Sequence, residues 1–163
     1  MQQQVKVVAV LAANAALTSI LAATLTAHRG LRVRPFESPA GLFAYMRLAP
    51  VDLLVTDFDC ATAPAPELAQ MLLRDPLLGV QSYDVIALAS DVTARTRQLA
   101  TDSGIDEVML KPMSPRYLLE RVLARLAAHD TPADMASGPL ARRAAMMASY
   151  AARGDNVVPL FPA

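Results

Sequence analysis

An aspartate and a lysine stand at the ends of two apolar segments of this 163-residue chain. Asp57 follows the segment of residues 52–56, and Lys111 follows that of residues 107–110. Short apolar segments of this kind are typical of buried strands in a parallel sheet. A carboxylate and an ammonium group at strand ends are suited to chemistry on an acyl phosphate.

A third apolar segment, residues 5–11, is not followed by the residues that a metal ion would need. Residues 5–11 run into Ala12 and Ala13, whereas Mg²⁺ takes oxygen ligands in octahedral geometry. Asp59 offers one further carboxylate, but it lies two residues beyond Asp57. The sequence therefore predicts that Asp57 and Lys111 form part of a phosphorylation site that has no bound metal.

Alternating strand and helix signals predict the fold that positions these residues. Helix N-caps are predicted at Asn14, Ser38, Asp91 and Ser114, and the third helix runs to Arg74 after a loop with two prolines. The predicted strands are residues 5–11, 31–36, 52–56, 83–89 and 105–110. This alternation predicts an α/β, flavodoxin-like doubly wound (βα)5 fold with a five-stranded parallel sheet in the order 2-1-3-4-5.

Composition limits the classes of function. Fifteen basic and fifteen acidic residues leave no net charge, which argues against general nucleic-acid binding. No apolar stretch reaches the length of a membrane span, and the single cysteine, Cys60, excludes an internal disulfide. No catalytic triad, glycine-rich phosphate loop or zinc spacing is present in the sequence. We expect a non-enzymatic, cytoplasmic protein without a metal or other obligatory cofactor.

Residues 5 to about 128 resemble the receiver domain of response regulators, of the chemotaxis-regulator type. The resemblance rests on Asp57, on the fourth strand at residues 85–88, and on residues 104–107 leading to Lys111 and Pro112. It implies that Asp57 is the phosphoacceptor, that Lys111 contacts the phosphoryl group, and that the peptide bond before Pro112 is cis. The predicted receiver-like domain therefore spans residues 1–129.

Departures from the family pattern indicate a degenerate pseudo-receiver. The family has two acids where this chain has Ala12 and Ala13, a switch hydroxyl where it has Ala89, and a switch aromatic where it has Val108. Ser90 places a hydroxyl one position late. We therefore interpret Asp57 and Lys111 as a vestigial phosphoacceptor site, an inherited ion pair that does not support conventional switching.

The remaining residues, 130–163, are predicted to form a linker, a helix over 139–153 and an apolar tail. The helix could pack its Leu140/Met147 stripe on the receiver-like domain or on a second copy, which would make a homodimer. The tail could dock in a partner's groove. Its candidate anchors are Val157, Val158, Leu160 and Phe161.

A third interpretation of this extension is a ligand clamp. Arginines bind phosphates bidentately and stack on purines, and a tyrosine adds a stacking surface. The candidates are Arg142, Arg143, Tyr150 and Arg153. They loosely resemble the arginine-bearing extension of receiver-like cyclic di-GMP effectors that act on flagellar motors and holdfasts, which implies cyclic di-GMP as a ligand and motility or attachment as the regulated process.

Three hypotheses of function follow. The first is a non-catalytic signalling module that binds a protein partner, a signalling or motor component, independently of conventional phosphorylation. The resemblance to receivers implies a docking surface on the face of the fourth helix, fifth strand and fifth helix, with Arg95, Arg97 and Arg116 as candidates. The second is a cyclic di-GMP effector, and the third is a true phosphoacceptor that uses Asp57.

Overall fold

Five strands and five helices alternate along the computed structural model, which describes residues 4–79, 81–129 and Ala145. The strands are β1 (Lys6–Leu11), β2 (Leu31–Pro35), β3 (Leu53–Asp57), β4 (Asp84–Ala89) and β5 (Glu107–Leu110). The helices are α1 (Ala15–Thr26), α2 (Pro39–Leu48), α3 (Ala65–Arg74), α4 (Ala94–Ser103) and α5 (Pro115–His129). The predicted number, type and sequence of elements are thus confirmed for this part of the chain.

All strand pairs are parallel, and the sheet order is β2-β1-β3-β4-β5, as predicted. Every residue of β3 and β4 is buried, because these strands lie inside the sheet and helices cover both faces. At the edge, β2 exposes Arg32 and Arg34, charged side chains that discourage pairing with another strand. Asp57, the last residue of the central strand β3, therefore lies in the middle of the row formed by the carboxyl ends of the strands.

Side chains on the two faces of the sheet form two separate hydrophobic layers. One face packs against α2, α3 and α4, and includes Leu54 and Val85. The other face packs against α1 and α5, and includes Val55 and Ile86. Neighbouring strand residues alternate between the layers, as the two-residue period of a strand requires.

Helix ends mostly follow the predicted caps. The Asn14 side chain accepts from the Leu17 amide at 2.8 Å, and the Ser38 hydroxyl accepts from the Gly41 amide at 3.2 Å. Gly104 ends α4 with a φ of 79°, a left-handed conformation that glycine adopts without strain.

The fifth strand begins at Glu107 and not at Ile105, and two predicted helix starts were wrong. The α4 cap is Thr93, whose hydroxyl accepts from the Thr96 amide, and not Asp91, which lies too far upstream and accepts from the Thr96 hydroxyl. Pro66 belongs to the first turn of α3 and not to the preceding loop, because a first-turn residue needs no amide donor.

None of the described helices is long and apolar enough to cross a membrane. The predicted extension of residues 130–163 lies outside the described residues, apart from Ala145. The same holds for all the candidate residues in it, which are Arg142, Arg143, Tyr150, Arg153, Val157, Val158, Leu160 and Phe161.

Candidate functional site

Asp57 and Lys111, which the sequence places at two strand ends, lie in direct contact. The Lys111 Nζ donates to Asp57 Oδ1 at 2.9 Å. Asp57 ends β3 and Lys111 follows β5, so the lysine side chain reaches past the intervening β4. Asp57 is fully buried at 0% exposure, whereas the Lys111 side chain keeps 24% of its surface.

Asp59 closes the outer side of this ion pair. Its Oδ2 accepts from the Ser90 amide at 2.7 Å and from the Ser90 hydroxyl at 2.8 Å, and lies 3.3 Å from Lys111 Nζ. The Asp59 amide in turn donates to Asp57 Oδ1 at 3.0 Å. Asp57, Asp59, Ser90 and Lys111 therefore form one connected group, which we call the strand-end cluster.

The charges of the cluster reinforce one another. Burial alone opposes ionisation of Asp59, but hydrogen bonds from Ser90 and Lys111 prevail and lower the pKa of its carboxyl. Burial also opposes the charge on Lys111, but Asp57 and Asp59 prevail and raise its pKa. Asp59 and Lys111 are consequently both ionised at neutral pH.

One oxygen of Asp57 remains unsatisfied within the described part of the chain. Its Oδ2 is buried and has no hydrogen-bond partner among the described residues. Such an atom costs about 1–3 kcal/mol of desolvation free energy. The Lys111 contact to the other oxygen is therefore the main compensation that the described residues offer to this buried carboxylate.

The residues present do not fit the Mg²⁺ site of the family pattern. Ala12 is buried and Ala13 is exposed at the end of β1, and neither methyl group can ligate a cation. Asp59 is already engaged with Ser90 and Lys111, whose ammonium group would repel a second cation. Within residues 4–79 and 81–129, no group of three or more metal-ligating side chains is found.

Ser90 and Asp59 are the site residues whose partnership the sequence did not reveal. The sequence placed the Ser90 hydroxyl one position too late for a switch residue, and left the direction of Asp59 open. The structure brings them together because the β3–α3 turn folds Asp59 back over the end of β4. Ala89, at the expected hydroxyl position, is buried, and Val108 is partly buried on β5.

A second candidate region is the face formed by α4, β5 and α5. Arg95 and Arg97 on α4 and Arg116 on α5 are all exposed, although Arg116 pairs with Glu120 at 2.9 Å. Large apolar side chains also remain exposed on these elements. They are Leu99, Leu110 and Tyr117.

A charged clamp fixes β5 to α5 behind this face. Arg121 and Arg125 both donate to the Glu107 carboxylate, and Arg125 also donates to the Asp106 carbonyl at 2.7 Å. Burial of Glu107 opposes its ionisation, but the two arginines prevail and lower the pKa of this carboxyl. The backbone that carries the exposed face is thus held in place.

Comparison with known proteins places this geometry among solved structures. No family model and no curated protein matches the chain. A response regulator from Thermotoga maritima is similar with a TM-score of 0.64 and 20% identity, over 75% of this chain and 98% of that one. A two-component response regulator from Clostridium difficile is similar with a TM-score of 0.67 and 13% identity, over 77% and 99%.

A chemotaxis response regulator of Vibrio cholerae is also similar, with a TM-score of 0.65 and 15% identity, over 75% of this chain and 99% of that one. This is the receiver fold. In the receiver fold of this chain, the peptide bond between Lys111 and Pro112 is cis, as the resemblance implied. At these identities the likeness establishes the fold alone, and the chemistry that the site can support depends on the residues of the strand-end cluster.

Proposed function

We propose that this chain is a non-catalytic signalling module with a receiver fold, acting in the cytoplasm by binding a protein partner, independently of conventional phosphorylation of Asp57. The observation that carries the proposal is the closed strand-end cluster. A phosphoacceptor must present a carboxylate oxygen to its donor, yet Asp57 is fully buried. Its Lys111 partner is shared with Asp59, which occupies the outer side of the site.

The chemistry of phosphoryl transfer supports the same conclusion. Transfer to a carboxylate concentrates negative charge, which bound metal ions normally neutralise. Here the incoming group would meet the ionised Asp59, and Ala12 and Ala13 offer no ligand for a compensating ion. We expect the cluster to serve as a structural brace between the β3–α3 and β4–α4 loops.

Nuclear magnetic resonance can test this with beryllofluoride and Mg²⁺ added to the full chain. We expect the amide resonances of residues 57–60, 90 and 111 to stay unchanged, as in the Asp57→Asn control. Shifts that occur in the wild type and are absent from Asp57→Asn would favour the true phosphoacceptor hypothesis and overturn the proposal.

The partner surface that we propose is the α4–β5–α5 face. Exposed arginines beside Leu99, Leu110 and Tyr117 provide the mixture of apolar and charged side chains that is common in protein interfaces. A pull-down with the full chain should lose its partner when Arg95, Arg97 and Arg116 are replaced by alanine. Replacement of Arg32 and Arg34 on the β2 edge is the matched control and should retain the partner.

Cyclic di-GMP binding through the extension is the rival candidate, carried by the arginines and the tyrosine at positions 142, 143, 150 and 153. Calorimetric titration of the full chain measures it directly. Binding heat that disappears in Arg142→Ala/Arg143→Ala would replace the partner-only proposal with a ligand-controlled one. A homodimer would instead appear as a doubled mass in light scattering.

A further inference from the structure

An apolar groove of about 420 Å³ lies between α1 and α5, and borders the strand-end cluster at Lys111. Leu17, Ile20 and Leu21 of α1 form one wall, and Leu118 of α5 forms the other. Pro112 and Met113, in the loop after β5, close one end. Ile20 is 61% exposed, so a large apolar side chain stands open to water at the rim. Grooves of this size and character are typical of binding sites.

The helix that forms one wall has no charged side chain. The α1 sequence is AALTSILAATLT, and it is the only one of the five multi-residue helices in the described structure without a charged residue. Its outward positions are alanine, serine, threonine and Ile20. A helix that faces water normally carries charged or strongly polar residues on that side. The outer face of α1 is therefore suited to an apolar covering.

We propose that this groove binds the chain's own apolar tail, with Val157, Val158, Leu160 and Phe161 as the inserting side chains. The tail matches the groove in chemistry, because residues 156–163 contain no charged side chain. The proposal concerns a surface separate from the partner face, and it holds whether or not Asp57 accepts a phosphoryl group.

Length and tethering favour this occupant over a separate molecule. Leu118 precedes the end of α5 by eleven residues, a helical distance of roughly 17 Å. With the predicted helix over residues 139–153, residues 130–156 would still span about 60 Å, so the tail can return to the groove. Tethering gives the tail an effective concentration of the order of millimolar, so weak intrinsic affinity suffices for occupancy.

Two prolines also prepare the tail for a groove. Val158 precedes Pro159 and Phe161 precedes Pro162, and a residue before proline is biased towards extended backbone. An extended segment loses less conformational entropy when it binds than a freely varying one. The prolines have no amide hydrogen, so at these two positions burial leaves no donor unsatisfied.

A nitroxide attached to the tail tests the proposal in the full chain. Cys60→Ala removes the native thiol, and Ala163→Cys supplies the labelling position. We expect strong broadening of the side-chain resonances of Leu17, Ile20 and Met113, and none at Leu42 or Met46 in the opposite layer. The broadening should disappear when Leu160 and Phe161 are both replaced by serine.

Two variants and a mixed sample test whether the broadening comes from the tail of the same molecule. Ile20→Glu should abolish the broadening at Leu17 and Met113, whereas Leu48→Glu, at a position 89% exposed on α2, should retain it. Equal mixing of labelled chains with isotope-enriched unlabelled chains should give no broadening. Broadening in that mixture would identify a second copy as the occupant, and its absence from the labelled chain alone would show an empty groove. Either result overturns the proposal.

Discussion

The strand-end cluster and the α1–α5 groove lie on either side of Lys111, yet they are opposite in chemistry. In the cluster, the Lys111 ammonium group contacts two carboxylates, and the Ser90 hydroxyl donates a hydrogen bond to Asp59. In the groove, leucine, isoleucine and methionine side chains line a space of about 420 Å³, and Ile20 remains open to water. The polar atoms of the strand-end cluster are largely hydrogen-bonded or paired within the cluster, whereas the apolar side chains of the groove remain partly uncovered. This difference suggests that the residues resembling an active site are structural, and that binding occurs elsewhere.

The largest expected effect comes from removing the ammonium group of the cluster. Lys111→Met leaves Asp57 buried without its ionic partner and with only the Asp59 amide as a donor, and should lower the free energy of unfolding by about 3 kcal/mol in urea denaturation. Arg116→Met is the control, because Arg116 is 89% exposed in its pair with Glu120, and should cost less than about 1 kcal/mol. Equal effects would mean that the cluster is not a brace.

A smaller, pH-dependent effect is expected at the β5–α5 clamp. The pKa of Glu107 is lower in the folded state than in the unfolded chain, so the unfolded chain binds more protons at pH values between the two pKa values. The stabilisation that ionised Glu107 contributes is therefore present above the ordinary carboxyl pKa, and is lost as the pH falls through the folded-state pKa. Glu107→Gln should cost about 2 kcal/mol at neutral pH and little in acid, by urea denaturation.

The exposed pair of Arg116 and Glu120 offers the matched control for this prediction. Glu120→Gln should change the free energy of unfolding by less than about 0.5 kcal/mol at either pH. A Glu107→Gln effect that stays constant from neutral to acid pH would show that the charge of the clamp does not contribute.

Removing the outer carboxylate should alter local exchange more than stability. Asp59→Asn weakens the hydrogen bonds to Ser90, and should change the free energy of unfolding by less than about 1 kcal/mol because Asp59 is 44% exposed. We expect faster hydrogen exchange at the Ser90 amide. Asp91→Asn, in the same loop, should leave that amide unchanged, and identical rates in both variants would argue against a closing role for Asp59.

A similarly small effect on stability is expected in the groove. Ile20→Glu replaces a side chain that is already 61% exposed, so the free energy of unfolding should change by less than about 1 kcal/mol. Hydrogen exchange at the amides of Val157, Val158 and Leu160 should nevertheless become faster, and Leu48→Glu should leave it unchanged. A large loss of stability would instead make the groove part of the core.

The sequence predicts the fold far better than it predicts the site. Apolar strands and the helix caps at Asn14, Ser38 and Ser114 depend on local backbone chemistry, and each was confirmed. The contacts of Asp59 depend on how the turn after β3 folds, which no local pattern specifies. The Thr93 cap was missed for a similar reason, because Asp91 and Thr93 are both good capping residues and only the backbone path decides between them.

The groove was also missed, since it depends on a distance between two helices. Leu17, Ile20 and Leu21 have the spacing of an ordinary buried helix face, and nothing in it indicates that Ile20 stays open. The absence of charge along α1 was the available signal. A helix without charged residues on its outer side is suited to covering by another apolar segment.

Lys111 has one further consequence, because it lines the groove while its nitrogen belongs to the cluster. A molecule that fills the groove would remove water from beside Lys111, and the attraction between Lys111 and Asp57 would strengthen as screening falls. By thermodynamic linkage, a stronger ion pair must favour the filled groove to the same extent. If the groove is filled as proposed, Lys111 would thereby couple groove occupancy to the central strand of the sheet.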